Sequence, residues 1–330
     1  MTTQCSRWIR RRLSASLILA AASLAAAADA PDPLRVEAVV SLGAVKGRID
    51  HLAADIDRHW LFVAERNNDT VAIVDVRART LHRVIAGFDE PQGVGYEPST
   101  DTLYVTNGGD GSVRMFSAAS LEPAGQIDLG ADADNVRIDA SSNQVLVGFG
   151  QGLAVIDAKN HTTRTIALRG HPEAFQLVRG TSRVFVNVPD AREVTVVDLQ
   201  NGEQTHMPIP SRGANFPMAL DDARLLLLPL RHPAELLVIR PDDAATEAAS
   251  LCEDADDTFF DSARRRLYVS CGDGYLDVFQ RLDSEYSRRA HIRTAVGART
   301  SLLVPEWDRL FLAVPESSSS KAAIWIMKPS

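Results

Sequence analysis

The chain has 330 residues, of which 45% are hydrophobic and 24% charged, with a net charge of −8 and three cysteines. This balance excludes a collagen-like repeat, a disordered tail, a disulfide-dense miniprotein and a multi-span membrane protein. Its acidity, with a pI near 5.5, speaks against the basic footprint of a nucleic-acid binder, so no nucleic-acid partner is expected.

The first segment reads as an address. Arg7, Arg10, Arg11 and Arg12 precede an apolar run of Leu, Ile and Ala over residues 13–28, and the small residues Ala26-Ala27-Ala28 offer a cleavage pattern. This is the order of a secretory signal peptide, assigned here to residues 1–28, and it predicts a periplasmic or secreted protein. An uncleaved anchor is the alternative, but the run is shorter than the roughly 20 residues that span a bilayer. Removing residues 1–28 takes four arginines and no acid from 35 basic and 43 acidic residues, moving the net charge from −8 to −12. Cys5 leaves with the signal. No second long apolar run follows, so the mature chain is expected not to be embedded in a membrane; a monomer is expected.

Beyond the signal one period governs the chain. A short β-branched or aromatic cluster recurs as Leu61-Phe62-Val63, Leu103-Tyr104-Val105, Val145-Leu146-Val147, Val184-Phe185-Val186, Leu225-Leu226-Leu227, Leu267-Tyr268-Val269 and Leu310-Phe311-Leu312. The intervals are 42, 42, 39, 41, 42 and 43 residues. Each unit opens with a short apolar strand (52–55, 136–139, 258–261) and turns into the cluster. A Gly/Asn/Asp turn such as Asn107-Gly108-Gly109-Asp110-Gly111 follows, and an alternating strand comes next (71–75, 153–157, 194–198). A fourth strand, as at 162–168, completes it. Four strands in about 42 residues form one blade of a β-propeller. The seventh unit stops after its third strand at 323–327, and a spare strand at 34–42 precedes the first. The expectation is therefore an all-β, seven-bladed β-propeller in which the N-terminal strand closes the last blade and leaves no open seam. Residues 29–330 form a single domain, in place of the two that length alone suggests.

Leu103-Tyr104-Val105-Thr106-Asn107 contains the Tyr-Val-Thr-Asn signature, with degenerate copies at Phe185-Val186-Asn187 and Tyr268-Val269-Ser270. Together with stretches such as Glu90-Pro91-Gln92-Gly93-Val94, Gly170-His171-Pro172-Glu173 and Asn215-Phe216-Pro217-Met218, they make residues 34–330 resemble the YVTN-repeat β-propeller family. The similarity is to its exported bacterial YncE-like subgroup. The resemblance implies the fold and a periplasmic or surface location, and it implies no reaction.

The local signatures of hydrolases, phosphate loops, zinc proteases, dinucleotide folds and haem attachment are all missing. Alignment of the repeats is more informative, because it places the residue at the entrance of each innermost strand. Blade 1 offers Arg48, Asp50 and His51, blade 2 Gln92, blade 3 Asp134 and Asn135, and blade 4 His171 and Glu173. Blade 5 offers Phe216 and Pro217, blade 6 Asp256 and Asp257, and blade 7 Arg299 and Thr300. These residues are expected to ring the channel mouth as a ligand-binding site. The near-identical Asp-Ala-Asp-Asn (132–135) and Asp-Ala-Asp-Asp (254–257) face one another across it.

Converging acids repel, and three arrangements offset that cost. Asp50, Asp134, Glu173 and Asp256 could hold a divalent cation, calcium or a transition metal. Alternatively, Arg48, Arg299 and the two histidines pair with the acids, or the channel is wide and the acids stay solvated. Cys252 and Cys271 flank an antiparallel turn on the same face, which predicts a disulfide. The leading functional reading is an exported, non-catalytic binding or scaffold propeller for a small molecule, peptide or protein partner. A lactonase-like hydrolase with a metal at the mouth is the first alternative. A propeller subunit partnering a periplasmic dehydrogenase is the second.

Overall fold

The computed structural model describes Met1 and residues 32–209, 213–240 and 246–330. The expected signal segment lies, Met1 apart, outside these residues. The chain divides into two units, Met1–Pro31 and Asp32–Ser330, and every strand among the described residues belongs to the second.

Seven antiparallel sheets follow one another along the chain. Blade 1 covers residues 52–86, blade 2 91–128, blade 3 133–167, blade 4 175–208, blade 5 214–250 and blade 6 255–293. Blade 7 is made of Ser301–Val304, Arg309–Val314 and Ala322–Pro329, completed by Leu34–Gly43, which pairs antiparallel with Ala322–Pro329. The N-terminal strand thus closes the last blade. Among the described residues no α-helix occurs, and no helix is long and apolar enough to cross a membrane.

Second strands are buried on both faces, as the Leu-Phe-Val clusters require, because each is sandwiched between neighbouring sheets. Outer strands alternate or lie exposed. Blade 5 departs from the four-strand plan: its innermost strand is split into Ala214–Asn215 and Ala219–Leu220 around Phe216-Pro217-Met218. Pro217 has no N–H to continue the ladder.

In blades 2, 4 and 6 the polar residue just after the apolar cluster ties one blade to the next. In blade 2, Thr106 Oγ1 accepts the Gly93 N–H (2.7 Å) and donates to the Asp134 carbonyl of blade 3. In blade 4, Asn187 Nδ2 donates to the carbonyls of Phe216 (3.1 Å) and Pro217 (3.0 Å) in blade 5. In blade 6, Ser270 bonds Ser301 of blade 7 (2.9 Å). Gly93 lets two innermost strands approach, since a Cβ there would stand 2.2 Å from the Asp134 carbonyl oxygen.

Candidate functional site

These connectors bring the entrances of the innermost strands to one mouth. The His51 N–H donates to the Gln92 carbonyl (3.1 Å), and Thr300 Oγ1 donates to the Ile49 carbonyl (3.1 Å), so blades 7, 1 and 2 are laced in sequence. Asp257 accepts the Ser301 N–H (2.8 Å), which binds blade 6 to blade 7.

On one side of the mouth the acids are held by guanidinium groups. Arg48 grips Asp50 through Nε (3.0 Å) and Nη2 (3.1 Å) and lies 3.6 Å from Asp256. Arg299 reaches Asp254 (2.9 Å) and Asp256 (3.0 Å). Arg231, at the end of the blade 5 strand Leu226–Arg231, pairs with Asp254 (3.2 Å) and with Asp256, while its guanidinium lies 4.0 Å over the Phe216 ring.

Histidines occupy the other side. Asp134 lies 3.9 Å from His51 Nε2 and 3.7 Å from His171 Nε2, and His51 Nδ1 faces Asp257 at 3.6 Å. The Asn135 amide lies 3.2 Å from His51 Nε2 and accepts from Arg137. His171 Nδ1 is 3.0 Å from the Gly150 carbonyl. Glu173 is anchored only through its backbone, whose N–H donates to the Asn187 carbonyl (3.0 Å). Among the described residues its carboxylate has no hydrogen-bond or ion-pair partner.

The electrostatics follow from this layout. Burial opposes charge on His51, but Asp257, Asp50 and Asp134 outweigh it and raise its pKa to about 10. Burial likewise opposes charge on His171, and Asp134 overrides it to reach about 9. Burial pushes Asp134 up, yet His171, His51 and Arg48 hold it below the ordinary value. Asp50 is raised to about 6, burial prevailing over Arg48 and His51. Glu173 is different: burial, then Asp134, push it up to about 7 against the opposing charges of His171 and Arg231.

Of the ring residues, Arg48, Asp50, His51, Asp134, Asn135, His171, Asp256, Asp257 and Arg299 are linked by these contacts, whereas Gln92 turns its amide to Asp132 (2.8 Å) and Thr300 its hydroxyl to Ile49. The four acids considered for a cation do not gather. Among the described residues only Cys252, Cys271 and Asp273 bring three metal-ligating atoms within 4.8 Å of one another, and those two sulfurs are bonded to each other. Asp50 and Asp256 share Arg48, Asp134 lies between the two histidines, and the Glu173 carboxylate has no partner among the described residues. Repeat alignment missed Arg231 and Arg137. Arg231 had a signal, because it is the one cation at a position where the other blades carry Asn67, Gly109, Gln151, Asp190, Asp273 and Glu316. Behind the mouth, Asp277 accepts from the Cys252 N–H (2.8 Å) and faces His291 Nδ1 (2.6 Å), bracing the disulfide-linked corner of blade 6.

Fold and mouth together define a WD40-like seven-bladed β-propeller. No family model matches the chain, and no curated protein matches it in sequence. Among solved structures it is similar to a chain of "Kuenenia stuttgartiensis Hydrazine Synthase", with TM-score 0.71 and 14% identity over 85% of this chain and 97% of that one. It is also similar to a chain of "Crystal Structure of Mitotic Checkpoint Complex", with TM-score 0.76 and 13% identity over 97% and 98%. At this identity the likeness shows the fold alone.

Proposed function

We propose that this chain is an exported, non-catalytic binding propeller of the YVTN-repeat, YncE-like type, whose channel mouth receives a cationic group of a small molecule or a partner's side chain. The observation that carries this reading is the carboxylate of Glu173, unpartnered among the described residues, in a mouth where other acids are met by Arg48, Arg231, Arg299, His51 or His171. Asp134 Oδ1 also lacks a hydrogen-bond donor, and it is buried. An ammonium or guanidinium group placed between them would satisfy both oxygens and turn Glu173 into a stable anion. The repeat signature supports the family assignment, and the apolar run at 13–28 supports export.

Primary amines such as lysine amide and putrescine should bind the purified protein and perturb the imidazole resonances of His171, while succinate should not. Glu173→Gln should abolish the response. Succinate binding as well as the amines, amines binding equally to the Glu173→Gln protein, or no response to any amine would each reject the reading.

A further inference from the structure

The outer wall differs around the ring. Apart from Met1, the large apolar side chains exposed to solvent among the described residues are Val36, Val39, Val84, Leu282 and Val296. Val36 and Val39 lie on the outer strand of blade 7, and Leu282 and Val296 bracket that of blade 6, with Val39 57% and Val296 80% exposed. Val84 follows on blade 1. These blades are neighbours, and Ala290 and Ile292 of blade 6 pack against the apolar cluster that holds Leu34 of blade 7. The same wall carries Arg35, Arg289 and Arg293, all exposed and, among the described residues, none within 4.0 Å of a carboxylate. Unpaired arginines beside exposed valines are unusual on a chain of net charge −8.

Both outer strands are also poor templates for a further strand. Arg289 has no partner between the pairs Val278↔Ala290 and Phe279↔Arg288, and Glu37 has none between Val36↔Met327 and Ala38↔Ile326. Bulges of this kind spoil the regular edge that strand addition needs. The surface is therefore suited to contacts through side chains, on a wall that offers cations and single apolar side chains together. That chemistry fits an anionic lipid interface better than a peptide strand: guanidinium groups meet phosphate headgroups while valines and a leucine enter the boundary below them.

We infer that the outer wall of blades 6 and 7 is a peripheral docking surface for an anionic membrane. The test uses the full chain and vesicles of phosphatidylcholine with or without about one-third phosphatidylglycerol. Because residues 13–28 are themselves apolar, variants on the wall decide, not binding alone. Arg289→Glu with Arg293→Glu should weaken co-sedimentation with phosphatidylglycerol vesicles at least about ten-fold. A Val39→Trp protein should show a blue shift in emission with those vesicles, and brominated lipid should quench it. Unchanged co-sedimentation of the charge-reversed protein, no blue shift at Val39→Trp, or equal capture by a soluble polyanion such as heparin would overturn the proposal. Unchanged far-ultraviolet circular dichroism of both variants separates lost docking from lost folding.

Discussion

Glu173 and Asp134 are carboxylates of one mouth with opposite fates. Asp134 has two imidazolium neighbours and is held ionised, whereas Glu173 has burial and Asp134 against it. The folded value of about 7 lies above the ordinary 4.5, so the folded protein binds this proton more tightly than the unfolded chain. The stabilising contribution is complete below the unfolded value and is lost as pH rises through about 7. Glu173→Gln should therefore match the native protein near pH 4 and exceed it by roughly 2–3 kcal/mol at pH 8. Denaturant titrations at the two pH values check this. His171 has the same sign for a different reason, since its acidic neighbour favours the charged form. Its raised value of about 9 gives stability that is present below its unfolded value and lost as pH rises through 9. His171→Gln should remove that alkaline loss and destabilise the protein at neutral pH, read from the same titrations. The ring positions were legible in the sequence because a period near 42 residues places equivalent strand entrances together. Which acid would be left over was not. That depends on Arg231, whose long side chain reaches the mouth from the end of a second strand, and no spacing rule records the reach of a flexible stem.

At the scale of elements, small and polar residues set how closely blades pack. Thr106 of the Tyr-Val-Thr-Asn signature is buried and bridges Gly93 to Asp134, which gives the repeated motif a physical role as a blade connector. Gly93→Ala would push a methyl group against backbone that cannot swing away, so a loss of about 1–3 kcal/mol is expected. The denaturation midpoint reads that loss, and the His51 and His171 resonances should shift with it as Asp134 moves. The disulfide links Cys252 to Cys271 at a separation of 19 residues, and Asp277 caps the Cys252 N–H. Cys271→Ser should cost about 3 kcal/mol, seen as a lower thermal midpoint under non-reducing conditions. The sequence carried the strand order of most blades, since alternating apolar residues and Gly/Asn turns encode it locally. The split strand of blade 5 was less visible. Pro217 marks it, yet the flanking Asn215 and Ala219 still look like one continuous entrance.

For the molecule as a whole, closure is the feature on which everything else depends, because a ring of convergent side chains exists only if the seam holds. Arg266, buried in blade 6, donates to the carbonyls of Pro33 (3.2 Å) and Ser330 (2.9 Å), and the Ser330 N–H donates to Pro33 (3.1 Å). One side chain thus clamps both ends of blade 7. Arg266→Ala removes the donor to the Ser330 carbonyl and leaves Pro33 only the Ser330 N–H, so it should lower hydrogen-exchange protection in Leu34–Gly43 and Ala322–Pro329 while blades 2 to 4 stay protected. The closed ring could be read from the missing fourth strand of the last repeat, an argument from counting that needs no side-chain geometry. Binding is the harder matter, and one titration addresses it. Calorimetry of lysine amide at pH 7 in two buffers of different ionisation heat counts the protons released per amine bound. With Glu173 at about 7, roughly half a proton should leave on binding to the native protein, and none should leave with Glu173→Gln. No binding heat, or binding with no proton released, would contradict a mouth built around one waiting carboxylate.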